Sequence, residues 1–213
     1  MNFIEIDIIN NILAENKMSK IKDYNDIKTI SKNQDKCEKI IDTLYENINN
    51  STITYKLIEN FISTIFKLNK ENYSYLLISN LTEEFQNENI KYLSESFEYE
   101  NSKFIMPRHK GNWENAAKVL QMRGYPRIKD ILLEMFEWLQ DYNWPGSKII
   151  FDILVKLPKD IFLSNLELTI TAAKKDNDME WLYWLRELML AAQINKKDFS
   201  NKELCDILTE SDI

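Results

Sequence analysis

The sequence predicts an all-α protein, a stack of antiparallel helix pairs forming an α-solenoid or irregular bundle of about ten to twelve helices. Three observations predict it. Apolar residues recur at i, i+3/i+4 and i+7/i+8 almost throughout, so each segment presents a single stripe for burial. Only three glycines occur in 213 residues, where average usage would supply about fifteen. Hairpin-rich sheets, phosphate-cradling loops and glycine-rich nucleotide fingerprints therefore lack their raw material. Helix start and stop residues leave loops of about two to six residues, which makes consecutive helices antiparallel neighbours.

Along the chain, Phe3 to Ile9 alternates apolar and acidic residues with period two, as a half-exposed strand would. No second window alternates to pair with it, and Ile9, Ile12 and Leu13 resume helical spacing, so it is read as helix. Stripes follow at Cys37, Ile40, Ile41, Leu44 and Ile48, at Ile58, Phe61, Ile62 and Ile65, and at Tyr73, Leu77, Leu81 and Phe85. The second half repeats the pattern at Trp113, Ala116, Ala117 and Leu120, then Ile128, Ile131, Leu132, Met135 and Leu139, then Ile149, Ile150, Ile153, Leu154 and Leu157. Gly124 suits a helix C-cap and Pro126 the first turn of the next helix, while Pro145 opens another and Pro158 ends it by restricting Leu157. Ser164 to Glu167, Asn177 to Glu180 and Ser200 to Glu203 read as capping boxes that start three more helices. Trp181, Trp184, Leu185, Leu188 and Ala192 make the most apolar of these, read as a central core element.

Charge divides the chain unevenly. Residues 1–100 hold 11 basic against 17 acidic side chains, and residues 101–213 hold 16 against 17, within a net charge of −7. The expected organisation is an acidic N-terminal helical region, 1–100, and a second helical region, 101–213, in one continuous solenoid. Cys37 and Cys205 lie far apart with no CxxC pairing and His109 is the single histidine, which leaves no zinc set and fits a reducing compartment. The longest apolar runs are five residues, short of the roughly 20 that span a bilayer. The first residues carry acids where a secretory signal would carry Lys or Arg, so a cytoplasmic location without membrane attachment is expected.

The densest aromatic punctuation is Trp138-Leu-Gln-Asp141-Tyr-Asn143-Trp144-Pro145, read as a tight helix-helix corner. Asn143 tolerates the left-handed backbone that closes a helix, and Asp141 or Asn143 can accept from free amides at the next helix start. Trp138 and Trp144 would clamp the corner, each indole N–H seeking an acceptor. Together with Met106 to Trp113, Leu120 to Pro126 and Asp176 to Trp184, this corner resembles a bacterial family of uncharacterised helical domains whose hallmark is W-L-Q-D-x-N-W-P. The resemblance covers roughly residues 104–192. It implies a HEAT-like stack and carries no established activity. Gly146 stands where relatives often show a bulkier aliphatic residue.

A second feature is electrostatic. From Lys103 to Lys129 there are seven basic residues, including Arg123 and Arg127, against the single acid Glu114. Such a stretch suits an anion, RNA or an acidic surface, with Trp113 and Tyr125 as stacking platforms; helical periodicity spreads it over several faces, and the negative net charge disfavours nucleic acid. His109 has no nucleophile motif around it, and Asp176, Asp178 and Glu180 lack the glycine and distal Glu of a calcium loop. No enzyme, cofactor or metal is expected. The expected function is a non-catalytic protein-binding module, specifically an immunity-type or antitoxin-like protein whose acidic N-terminal face covers a basic toxin domain. Candidate binding residues are Trp113, Trp138, Asp141, Asn143, Trp144, Arg123 and Arg127. The alternatives are a HEAT-like nucleic-acid-binding or base-processing protein with the tryptophans and Asp141 in a basic groove, and a scaffold in which all five tryptophans are core.

Overall fold

The structure, a computed structural model, describes residues 24–46, 48, 55–96 and 110–210. The described residues form helices and turns and no strand, so the all-α expectation holds. The alternating segment 3–9 and His109 lie outside them. The chain divides into two compact units, residues 1–89 and 90–213.

In the first unit, α1 (Tyr24–Ile30), α2 (Gln34–Glu46) and α3 (Tyr55–Leu68) precede a 3-10 helix at Lys70–Leu77, and α4 (Glu83–Ser96) begins here. The stripes Cys37, Ile40, Ile41, Leu44 and Ile58, Phe61, Ile62, Ile65 are buried, and α2 packs on α3 through them. The stripe from Tyr73 to Phe85 is not one helix. It breaks at residues 78–82, where the Gln86 amide donates to the carbonyls of Ser79 (2.9 Å) and Leu81 (2.7 Å) and the Tyr45 hydroxyl to that of Asn80 (2.8 Å). Side-chain donors satisfy carbonyls that a continuous helix would have used internally. Leu77, Leu81 and Phe85 are buried all the same, so periodicity found the inward residues and missed the turn between them.

The second unit contains α5 (Lys110–Arg123), a 3-10 turn at Lys129–Ile131, α6 (Leu132–Glu137), a 3-10 turn at Trp138–Gln140, α7 (Ser147–Leu154), α8 (Lys159–Asp176), α9 (Met179–Ala191), a 3-10 turn at Lys196–Asp198 and α10 (Lys202–Glu210). Helix α5 packs on α7, α6 on α8, α8 on α9 and α9 on α10. Ala116, Leu120, Ile131, Met135, Phe136, Leu139, Ile150, Leu154, Leu166, Ile170, Leu185 and Leu188 supply its centre.

Several predicted helix ends move. Pro126 follows Tyr125 through a cis peptide in a turn, and the chain turns helical only at Lys129. Helix α7 starts at Ser147 after a left-handed Gly146 and stops at Leu154, while Pro158 stands at the N-cap of α8. Ser164 is therefore inside α8, donating to the Ile161 carbonyl (3.0 Å), because the apolar register of that helix reaches back through Phe162. The next start is capped by Asp178, whose carboxylate accepts from the Trp181 amide (2.9 Å), and Asn177 instead closes α8 with a left-handed backbone (φ 54°). Glu203 does not cap back to Ser200, which bonds to Glu167; the complete capping box is Asn195 with Asp198. Among the described residues no helix is long and apolar enough to cross a membrane.

Candidate functional site

The corner between α6 and α7 sends its aromatic side chains in two directions. Trp138 is buried and its indole N–H donates to the Pro145 carbonyl (3.1 Å) across the corner. Trp113 of α5 meets Trp138 and Trp144 edge to face, with ring centroids 5.2 and 4.9 Å apart, a geometry that aligns a positive ring edge with a negative face. Lys110 holds its ammonium 5.4 Å from the Trp144 ring centre. The indole N–H of Trp113 is buried and meets no hydrogen-bond partner among the described residues.

Gly146 makes this cluster possible. Its φ is +84°, and a Cβ placed on it would lie 2.8 Å from the Ala117 Cβ and 3.1 Å from the Trp113 carbonyl oxygen. Helix α5 thus lies against a bare backbone, and a bulkier residue has no room in this chain. Asp141 and Asn143 work within the turn: the Asp141 carboxylate accepts from the Asn143 amide (2.8 Å), an Asx turn. The left-handed residue of the corner is Gly146, with Asn143 outside that region.

Tyr142 faces the other way. It stacks on Trp184 of α9, with centroids 4.1 Å apart and planes 16° from parallel. Phe151 and Tyr183 stand nearly perpendicular to this pair, at 5.7 Å from Tyr142 and 5.0 Å from Trp184 respectively. All four rings are half-buried. Trp184 is thus no core residue; the buried side of α9 is Trp181, Leu182, Leu185, Leu188 and Met189. The Trp181 indole donates to the Phe136 carbonyl (3.0 Å), tying the first turn of α9 to the end of α6.

Charge around this second cluster is uneven. On α9, Glu180 and Glu187 flank Trp184 at i−4 and i+3; elsewhere in the second unit, α6 carries exposed Glu134 and Glu137. Burial, and then Glu134, push the Glu137 carboxyl above its usual range. The cation in this group, Arg186, is already engaged, 3.6 Å from Glu187 and 5.8 Å from the centre of the Tyr183 ring. On the α7 side the balance differs, with Asp152 between exposed Lys148 and Lys156. Burial and then Asp152 raise the Tyr142 hydroxyl above its usual value.

The basic stretch does not gather into one patch among its described residues. Lys118 pairs with Glu114 (2.9 Å). Arg123 is buried and donates to the Ser94 carbonyl (3.4 Å); burial, then Arg127, hold its guanidinium below its usual value. Arg127 and Lys129 are exposed beyond it. An open cleft of about 540 Å³ beside α8, α9 and α10 is lined by Lys174, Met179, Leu182, Glu203 and Asp206; Asp206 is paired with Lys196. Both cysteines are buried, which pushes the Cys37 thiol up to about 11 and raises that of Cys205. Among the described residues no three His, Cys, Asp or Glu side chains cluster so as to hold a metal.

Residues 105–211, half of the chain, match the family model described as Domain of unknown function (DUF5071). The chain belongs to that family. Both aromatic clusters of this DUF5071 protein lie within the matched span. No curated protein and no solved structure matches the chain. Of the residues that the sequence singles out, Trp113, Trp138 and Trp144 meet in the closed cluster, Asp141 and Asn143 shape its turn and Arg123 is buried at the end of α5. Sequence reasoning missed Tyr142, Phe151, Tyr183 and Trp184. A signal existed: Glu180 and Glu187 at helical spacing around Trp184 mark that ring as lying on the polar side of α9.

Proposed function

We propose that this DUF5071 protein is a non-catalytic protein-binding module, an immunity protein of the antitoxin-like kind that covers a basic toxin domain of a bacterial competitor. The observation that carries the reading is the open aromatic cluster: four half-buried rings on one side of the second unit, with Glu180 and Glu187 flanking Trp184 along α9. Tyr, Trp and Arg are the residues that dominate binding energy at protein interfaces. A stacked Tyr–Trp pair costs little conformational entropy when a partner covers it. Acidic side chains around it speed encounter with a basic partner and disfavour acidic ones.

The non-catalytic part rests on the side chains that chemistry would need. Both thiols are buried and shifted toward the protonated form, the unreactive state of cysteine. The nucleic-acid reading loses support from the inward Arg123 and the Glu114–Lys118 pair. The scaffold reading requires five core tryptophans, and Trp113, Trp144 and Trp184 are half-buried. HEAT-like pairing of helices, the W-L-Q-D-x-N-W-P corner as a family mark and a cytoplasmic setting belong to the same proposal; the two-residue link from α8 to α9 supports the first of these. The test is co-expression with the product of the adjacent gene. Co-purification and restored growth are expected, and no complex with any neighbouring product in a cell that it poisons would overturn the reading.

A further inference from the structure

The open cluster also specifies the chemistry of what it meets. An apolar segment laid on Tyr142 and Trp184 would strip water from the neighbouring carboxylates without offering them a counter-charge, which is unfavourable. A cationic side chain removes that obstacle and gains from the rings as well. The chain itself shows both preferences nearby, since Arg186 lies over Tyr183 while contacting Glu187, and Lys110 lies over Trp144. A guanidinium fits better than an ammonium, because it is planar, can lie parallel to the Tyr142 and Trp184 rings, and offers a fork to a carboxylate.

We infer that the side of the second unit formed by Tyr142, Tyr183 and Trp184 with Glu180 and Glu187 is an arginine-binding site, which receives guanidinium groups of a basic partner segment between aromatic faces and carboxylates. This rests on the protein-binding reading above and adds to it the surface and the residue type recognised. The α7 side, where Lys148 and Lys156 flank Asp152, forms the border at which the basic segment ends.

The probe is hexa-arginine amide, titrated into the full-length chain while the five indole N–H resonances are followed, with Trp184 assigned through Trp184→Phe. The expected result is a saturable shift of the Trp184 resonance with those of Trp138 and Trp181 unmoved, and at least fivefold weaker binding of hexa-lysine amide. Glu180→Lys combined with Glu187→Gln leaves the rings in place and is expected to weaken hexa-arginine about tenfold at low salt. Trp184→Leu, checked for retained helicity, is expected to remove the selective response. Equal binding of the two peptides, or shifts spread over the five indole resonances without selection of Trp184, overturns the arginine site. Co-purification with a neighbouring gene product despite that result leaves the protein-binding reading standing. Selection of Trp184 without any such partner sustains the site and removes the immunity reading.

Discussion

Two aromatic clusters share one corner and differ in what surrounds them. Trp138 turns inward, donates across the corner to Pro145 and meets Trp113, which also holds Trp144. Tyr142, four residues along, turns outward to Trp184 and leaves both rings half in water. The first cluster is closed by a bare glycine backbone against α5; the second is bordered by carboxylates. Packing around Trp138 stabilises the unit, and the Tyr142–Trp184 stack with its flanking glutamates is the surface proposed above to meet a partner.

Substitutions break or sharpen this contrast. The largest stability effect is expected at the closed cluster, where Trp138→Ala removes a buried ring and its hydrogen bond and costs about 3–5 kcal/mol, read as a lowered urea midpoint. Gly146→Ala comes next: a Cβ 2.8 Å from the Ala117 Cβ at φ +84° combines overpacking with left-handed strain, about 2–4 kcal/mol in all. Asp178→Ala removes the cap of α9 and is expected to cost about 1 kcal/mol, enough to loosen the element that carries Trp184 without unfolding it. Thermal unfolding of each variant checks both values.

The smallest effect carries a sign. The Glu137 carboxyl is raised by burial and by Glu134, so the folded state holds its proton to higher pH than the unfolded chain does. Its contribution to stability is present below the unfolded value and lost as pH rises through the folded one. Glu137→Gln is therefore expected to raise the melting temperature slightly at pH 7, with the advantage shrinking as pH falls through the carboxylate range. A variant less stable than the parent at pH 7 would contradict a raised Glu137 carboxyl.

Much of the architecture was legible because burial imposes a period on helices. The inward residues Ile58, Phe61, Ile62, Ile65, Ile131, Met135 and Leu139 were all readable from spacing and all are buried. Helix ends were less legible, since Ser164, Asn177 and Ser200 satisfy the same cap pattern as residues that do cap; the apolar register of α8 overrides Ser164, Asp178 caps α9 in place of Asn177, and Ser200 is bonded to Glu167. Of the site, the turn-forming roles of Asp141 and Trp138 follow from corner chemistry. Trp184 did not, because a large ring at helical spacing reads as core whether it is covered or merely stacked, and its cover, Tyr142, lies in another element. Net charge points to the acidic N-terminal half, whereas the face proposed above is marked by glutamates beside half-buried rings.

The most direct test sets exposed acids of the two units against each other in a growth-protection assay against the basic toxin domain proposed as the partner. Reversing Glu180 and Glu187 to lysine is expected to abolish protection, whereas reversing exposed acids of the first unit, Asp35, Asp42 and Glu88, leaves it within about twofold once ordinary screening of dispersed surface charge is considered. Protection that survives the first set and disappears with the second would contradict the account.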